Sequence, residues 1–209
     1  MTQKEHLNRG ATHGLAPLSI LLAACLAFGG CGLFDPRDPE EPGGDGVQWI
    51  APTAPETLFV DIKNSMEGKV ILNFERCFVD TGFAFHPDPS DSLDLLSSLS
   101  GRDVFLGWNL DAELAVAQRI FDESGTIKLT FTTRDTMVSV SIDERIYFFK
   151  YELQVLGKVG GAEMFRGFVD FDVRSVGGLW YVSMWLDKRD PDYPYPTYRT
   201  WGYFKGTKR

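Results

Sequence analysis

Cysteine and histidine are scarce in this chain, and each shortage closes off a chemistry. Of the three cysteines, Cys25 and Cys31 lie in or beside an apolar N-terminal segment, which leaves Cys77 as the one thiol of the body. A single thiol gives no disulfide framework and no metal-ligand spacing. Of the three histidines, His6 and His13 precede the apolar segment, so only His86 belongs to the body. Positive charge is also in deficit. The net charge is -8 and no basic stripe interrupts it. A nucleic acid needs a basic surface to release its counterions, so this balance argues against such a partner. It equally disfavours docking on anionic lipid by charge alone. The chain contains no nucleotide loop, zinc-protease helix or nucleophile elbow. The acids Asp88, Asp91 and Asp94 lack the glycine and terminal glutamate of a calcium hand.

Residues 1–14 are polar and carry Lys4 and Arg9, and an apolar run from Leu15 to Phe28 follows. That run is short for a membrane span and has the layout of a secretory signal. It twice meets a cysteine after small residues, in Leu22-Ala23-Ala24-Cys25 and in Phe28-Gly29-Gly30-Cys31. From Gly32 to Gly46 the chain is rich in proline, glycine and acid and reads as a tether. These features resemble bacterial lipoproteins. The resemblance implies cleavage before a cysteine that is then acylated, with palmitate among the acyl chains. The first cysteine pattern has the better recognition letters. Cleavage there, however, would leave Leu26, Ala27 and Phe28 exposed, which favours Cys31 over Cys25. The expected organisation is a signal peptide over 1–30, a linker over 31–48 and a single domain over 49–209. The expected partner is a lipid bilayer, reached through several acyl chains. No acid follows Cys31 directly, which by the same resemblance favours the outer membrane.

Beyond Trp49 the apolar period is first helical and then alternating. Leu58, Phe59, Ile62 and Met66 share a helical face, after Thr53-Ala54-Pro55-Glu56 with capping-box spacing. Gly68 is expected to end or bend that helix. Val70 to Phe78 forms a second short helical pattern, Phe83 and Phe85 a short strand, and 87–103 a polar loop that contains one short helix. A further helix runs from about Trp108 to Phe121. Strands then follow at 127–132, 138–142, 147–155, 165–173 and 179–186, the last apolar on both faces. Helices followed by successive antiparallel strands give an α+β class.

This order is similar to the nuclear transport factor 2-like fold, in which N-terminal helices pack in the concave face of a curved antiparallel sheet. The resemblance is carried by Pro55 to Phe78 with Asp80 and Phe83-Ala84-Phe85, by Leu179-Trp180-Tyr181-Val182-Ser183-Met184-Trp185-Leu186-Asp187, and by Thr200 to Gly206. Ketosteroid isomerase-like and scytalone dehydratase-like members use an Asp, His or Tyr in the cone for proton transfer. The resemblance therefore nominates Asp80, His86, Tyr147, Tyr151 and Asp187. Each has a plainer reading: a turn residue for Asp80, a solvated loop for His86, core packing for Tyr147 and Tyr151, and an ion pair with Lys188 or Arg189 for Asp187. Cys77 reads as a buried inert thiol, and the four late tryptophans read as core or pocket wall. The segment Asp190 to Tyr198 either docks on its own domain or is presented to a partner.

The expected function is a membrane-tethered, non-catalytic binding or accessory module, with no cofactor or metal and with a small molecule or an envelope protein as its partner. An isomerase or dehydratase using a cavity Asp or His is the alternative. An envelope protein acting through its surface and tail is a further one.

Overall fold

Pro55 opens the first helix because its fixed φ suits the first turn. This helix, α1, spans Pro55–Gly68 and buries Leu58, Phe59, Ile62 and Met66. Its N-cap is Ala54 with no side-chain cap, so the capping-box spacing at Thr53 is not used. The helix ends at Gly68 as expected, with Lys69 as its C-cap in the left-handed region (φ 56°). A Cβ on Gly68 would stand 2.2 Å from Val47 Cγ2. Helix α2 (Ile71–Glu75) follows, and Cys77–Val79 then run beside the last strand, with Val79 N–H donating to Val182 O and Val182 N–H to Cys77 O.

Strand β1 (Ala84–His86) continues this edge. The short helix expected within 87–103 is the 10-residue α3 (Pro89–Ser98), set by proline at its start and by Asp88, whose side chain accepts from Ser90 N–H. Helix α4 (Leu110–Glu123) is capped by Asn109, which accepts from Ala112 N–H. Strands β2 (Ser124–Thr133), β3 (Val138–Ser139), β4 (Glu144–Gly157), β5 (Ala162–Val176) and β6 (Leu179–Lys188) complete the sheet. Only two residues of the expected 138–142 strand pair, and Val138, Val140 and Ile142 stay exposed. A final helix that the sequence pattern did not announce, α5 (Trp201–Thr207), is capped by Thr200. The computed structural model describes residues 47–193 and 197–209. The leader, Cys25, Cys31 and nearly all of the linker lie outside the described residues.

The sheet order is β1-β6-β5-β4-β2, with β3 also on β4. Among the named strands the pairings are antiparallel, as expected, except that the short edge strand β1 runs parallel to β6. Tyr147, Phe149, Tyr151, Leu153 and Val155 turn inward from β4 as the alternation required. On β6 the phase changes. Asp172 pairs with Met184 but Val173 with Val182, so Ser183 is an extra residue. The bulge carries Trp180 and Val182 inward on one phase and Trp185 and Asp187 inward on the other. Phe59 of α1 meets Phe149 edge-on and stacks on Phe171, which places the helix against this concave side. The result is an α+β cone: a curved sheet with helices in its concavity.

Candidate functional site

The concave interior at β4–β6 holds a polar cluster among aromatic rings. Tyr151 faces Gly167 across the β4–β5 ladder. A Cβ on Gly167 would stand 2.6 Å from the Tyr151 hydroxyl, so the missing side chain is what lets the phenol lie across β5. The hydroxyl reaches β6, where it donates to Asp187 Oδ1 at 2.8 Å. It also accepts Trp201 N–H at 2.7 Å, while Asp187 Oδ2 accepts Gly202 N–H at 2.6 Å. The strand pair thus grips the first turn of α5.

Thr200 completes the grip. Its hydroxyl donates to Asp91 Oδ2 at 2.6 Å and accepts Tyr203 N–H at 3.0 Å. Asp91 also accepts from Arg189, and Asp94 accepts from both Arg189 and Arg199. The acids at 88, 91 and 94 share one face of α3, and that face holds the arginines on either side of the 190–198 excursion. After Lys188 the chain leaves β6, and Arg199 returns to the vacated edge of β5, where Arg166 N–H donates to Arg199 O at 2.9 Å. Tyr193 and Tyr198 lie on the Arg166 guanidinium, so both of these tyrosines dock on their own domain.

Helix α5 fills the cone. Trp201 packs edge-on against Trp185 with centroids 4.4 Å apart. Lys205 is 2% exposed. Its Nζ lies 2.7 Å from Glu113 Oε1, 3.2 Å from the Trp185 ring centroid and 4.1 Å from that of Phe85. Glu113 Oε2 in turn accepts Trp108 Nε1–H at 2.9 Å. The space between α5 and α4 leaves no room for a water molecule.

Burial governs the protonation of this cluster. It pushes the Asp187 carboxyl up to about 7, against the bonds from Tyr151 and Gly202 and the charge of Lys205. Burial and the Asp187 charge push the Tyr151 phenol well above its ordinary range. Desolvation lowers Lys205, against the pull of Glu113 and Asp187. Burial also raises Asp91, offset by Arg189 and Thr200. A carboxyl near neutrality beside a phenol is acid–base equipment in principle. Here the Asp187 oxygens accept from Tyr151 and from the α5 backbone.

The nominated residues are placed unevenly. Tyr151 and Asp187 come together. Asp187 makes no pair with its neighbours, which corrects the ion-pair reading: Lys188 goes to Asp170 and Arg189 to α3. Tyr147 donates to Glu56 Oε1 at 3.1 Å elsewhere on the concave side. His86 is exposed at the end of β1. Asp80 is exposed on a surface cleft of about 240 Å³ with Arg174 and Tyr181. Cys77 is fully buried, and burial raises its thiol far above the usual range. Lys205, Glu113 and Thr200 were not foreseen. Only Glu113 carried a signal, since it shares a helical face with Val116, Ala117 and Ile120. No helix among the described residues is long and apolar enough to cross a membrane.

The curved sheet with helices in its concave face is that of a nuclear transport factor 2-like cone, and comparison with known structures places it there. The chain is similar to a proposed scytalone dehydratase of Novosphingobium aromaticivorans (TM-score 0.53, 13% identity, 71% of this chain and 91% of that one). It is also similar to a proposed aromatic ring hydroxylase of the same species (TM-score 0.51, 14% identity, 65% and 86%). A conserved protein from Planctomyces limnophilus has a TM-score of 0.51, 16% identity and coverage of 64% and 91%. At these identities the likeness is one of fold alone. No family model and no curated protein matches the chain.

Proposed function

We propose that this protein is a lipid-anchored envelope lipoprotein whose cone-shaped domain is a non-catalytic binding or accessory module. The observation that carries the reading is the seating of α5: Trp201 and Lys205 occupy the concave interior, and the Tyr151–Asp187 pair holds their backbone. An acid–base pair that supports a helix has no free edge for a substrate. The apolar leader, the cysteine at 31 and the acidic Pro/Gly tether support the anchored part of the reading. The test is turnover by the purified full chain with enolisable ketones and hydratable substrates. No saturable turnover is expected. Saturable turnover that disappears in Asp187→Asn would overturn the non-catalytic reading and favour an isomerase or dehydratase that opens at α5.

A further inference from the structure

Lys205 sits in the cone as a ligand would. Its ammonium has Trp185 under it at 3.2 Å, Phe85 at 4.1 Å and Trp201 at 5.3 Å from the ring centroids, and the Glu113 carboxylate at 2.7 Å. Aromatic faces attract cations most strongly when water is excluded, and this cage is buried. Three of the four groups, Phe85, Trp185 and Glu113, belong to β1, β6 and α4 rather than to α5. They would remain in place if α5 withdrew. Glu113 is itself oriented by the Trp108 indole N–H. What α5 supplies is the ammonium and one further wall.

We infer that the cone interior is a binding site for a primary alkylammonium group, and that Lys205 is its intramolecular occupant. The occupant rides on a short helix of seven residues. Its first turn is held by polar contacts from Tyr151, Asp187 and Thr200, and its body by the packing of Trp201 on Trp185 and of Phe204 on Phe165. A free amine of matching size competes with Lys205 for the same rings and carboxylate, and its apparent affinity is reduced by the fraction of molecules in which α5 is seated. The inference rests on the binding-module reading and names its ligand class. Turnover of a substrate would sink that reading without touching amine binding, so the two failures are distinguishable.

The test uses the full chain in mild detergent, with n-butylammonium chloride as probe, 1-butanol as its neutral counterpart and sodium chloride at matched ionic strength. In Lys205→Ala the vacated cage is expected to take butylammonium at least about tenfold more tightly than butanol, read by calorimetry and by a rise in Tm. A folded Lys205→Ala that shows no such preference overturns the inference. Should that variant not fold, the wild-type chain decides. Excess butylammonium is expected to speed hydrogen exchange at Trp201–Thr207 while the β4–β5 amides stay protected, and unchanged α5 exchange overturns the inference. Thr200→Val, outside the cage, loosens the seat of α5 and is expected to bind butylammonium more tightly than wild type. Equal or weaker binding by this variant contradicts displacement of the helix.

Discussion

The Tyr151 hydroxyl donates to Asp187 Oδ1 at 2.8 Å and in the same position accepts Trp201 N–H at 2.7 Å. One oxygen thereby joins the centre of β4, the end of β6 and the start of α5. Tyr151→Phe keeps the ring and leaves a buried N–H and a buried carboxylate oxygen without their partner. Each unsatisfied group costs about 1–3 kcal/mol. The expected result is a loss of about 2 kcal/mol or more by urea denaturation, with the earliest hydrogen exchange in α5.

Asp187 predicts a pH dependence. Its folded carboxyl is raised to about 7 from an ordinary value of 3.8. Between those values the native state holds a proton that the unfolded chain has released, so stability falls as pH rises through this window. The stabilisation is complete below the ordinary value and is lost as pH passes the folded one. Asp61, Asp91 and Asp172 are raised as well and act in the same direction. Denaturation of Asp187→Asn at pH 4.5 and 7.5 is expected to show a shallower decline than wild type. An equal decline assigns the slope to the other carboxyls.

The Lys205–Glu113 pair is buried at both ends. Removing one partner of such a pair leaves an uncompensated charge and costs about 3–5 kcal/mol. Lys205→Met and Glu113→Gln are each expected to lose that amount by denaturant titration. The double variant is expected to recover a substantial part of the sum, which is the signature of coupling.

Gly167 and Gly202 are required by close approach at the cluster. A Cβ at Gly167 would lie 2.5 Å from Lys188 O and 2.6 Å from Tyr151 Oη, and one at Gly202 would lie 2.6 Å from Asp187 Oδ2. The first obstacle includes backbone and the second is a carboxylate fixed by hydrogen bonds, so neither yields easily. Gly167→Ala and Gly202→Ala are each expected to cost about 1–3 kcal/mol. Gly82→Ala has open space around its Cβ but a φ of 81°, so its penalty is backbone strain alone.

Cys31→Ser tests the anchor. It is expected to abolish palmitate labelling and to release the protein from the membrane fraction, whereas Cys25→Ser is expected to change neither. Mass spectrometry of the mature N-terminus identifies the acylated residue directly.

Much of the fold was legible because periodicity records which face of an element is apolar. The inward row of β4 and the buried face of α1 follow from the spacing of their side chains. Asp187, which the family resemblance nominates, reaches the interior through a departure from plain alternation. Strict alternation puts residues 182 and 187 on opposite faces, and only the bulge at Ser183, set by pairing with β5, brings both inside. Helix α5 was hidden for another reason. Its stretch from Trp201 to Thr207 contains two glycines, Gly202 and Gly206, which weaken any helical signal. Its stability comes from packing and from caps supplied by distant strands.

The sequence by itself determined the switch from helical to alternating period, the inward row of β4 and the scarcity of thiol and imidazole that narrows the chemistry, because these depend on residue type and spacing alone. Only the tertiary structure decided that α5 fills the cone, that Tyr151 meets Asp187 and that Lys205 finds Glu113 among aromatic rings. Those meetings join residues 36, 50 and 92 positions apart, and local spacing carries no record of which distant surface a face will touch.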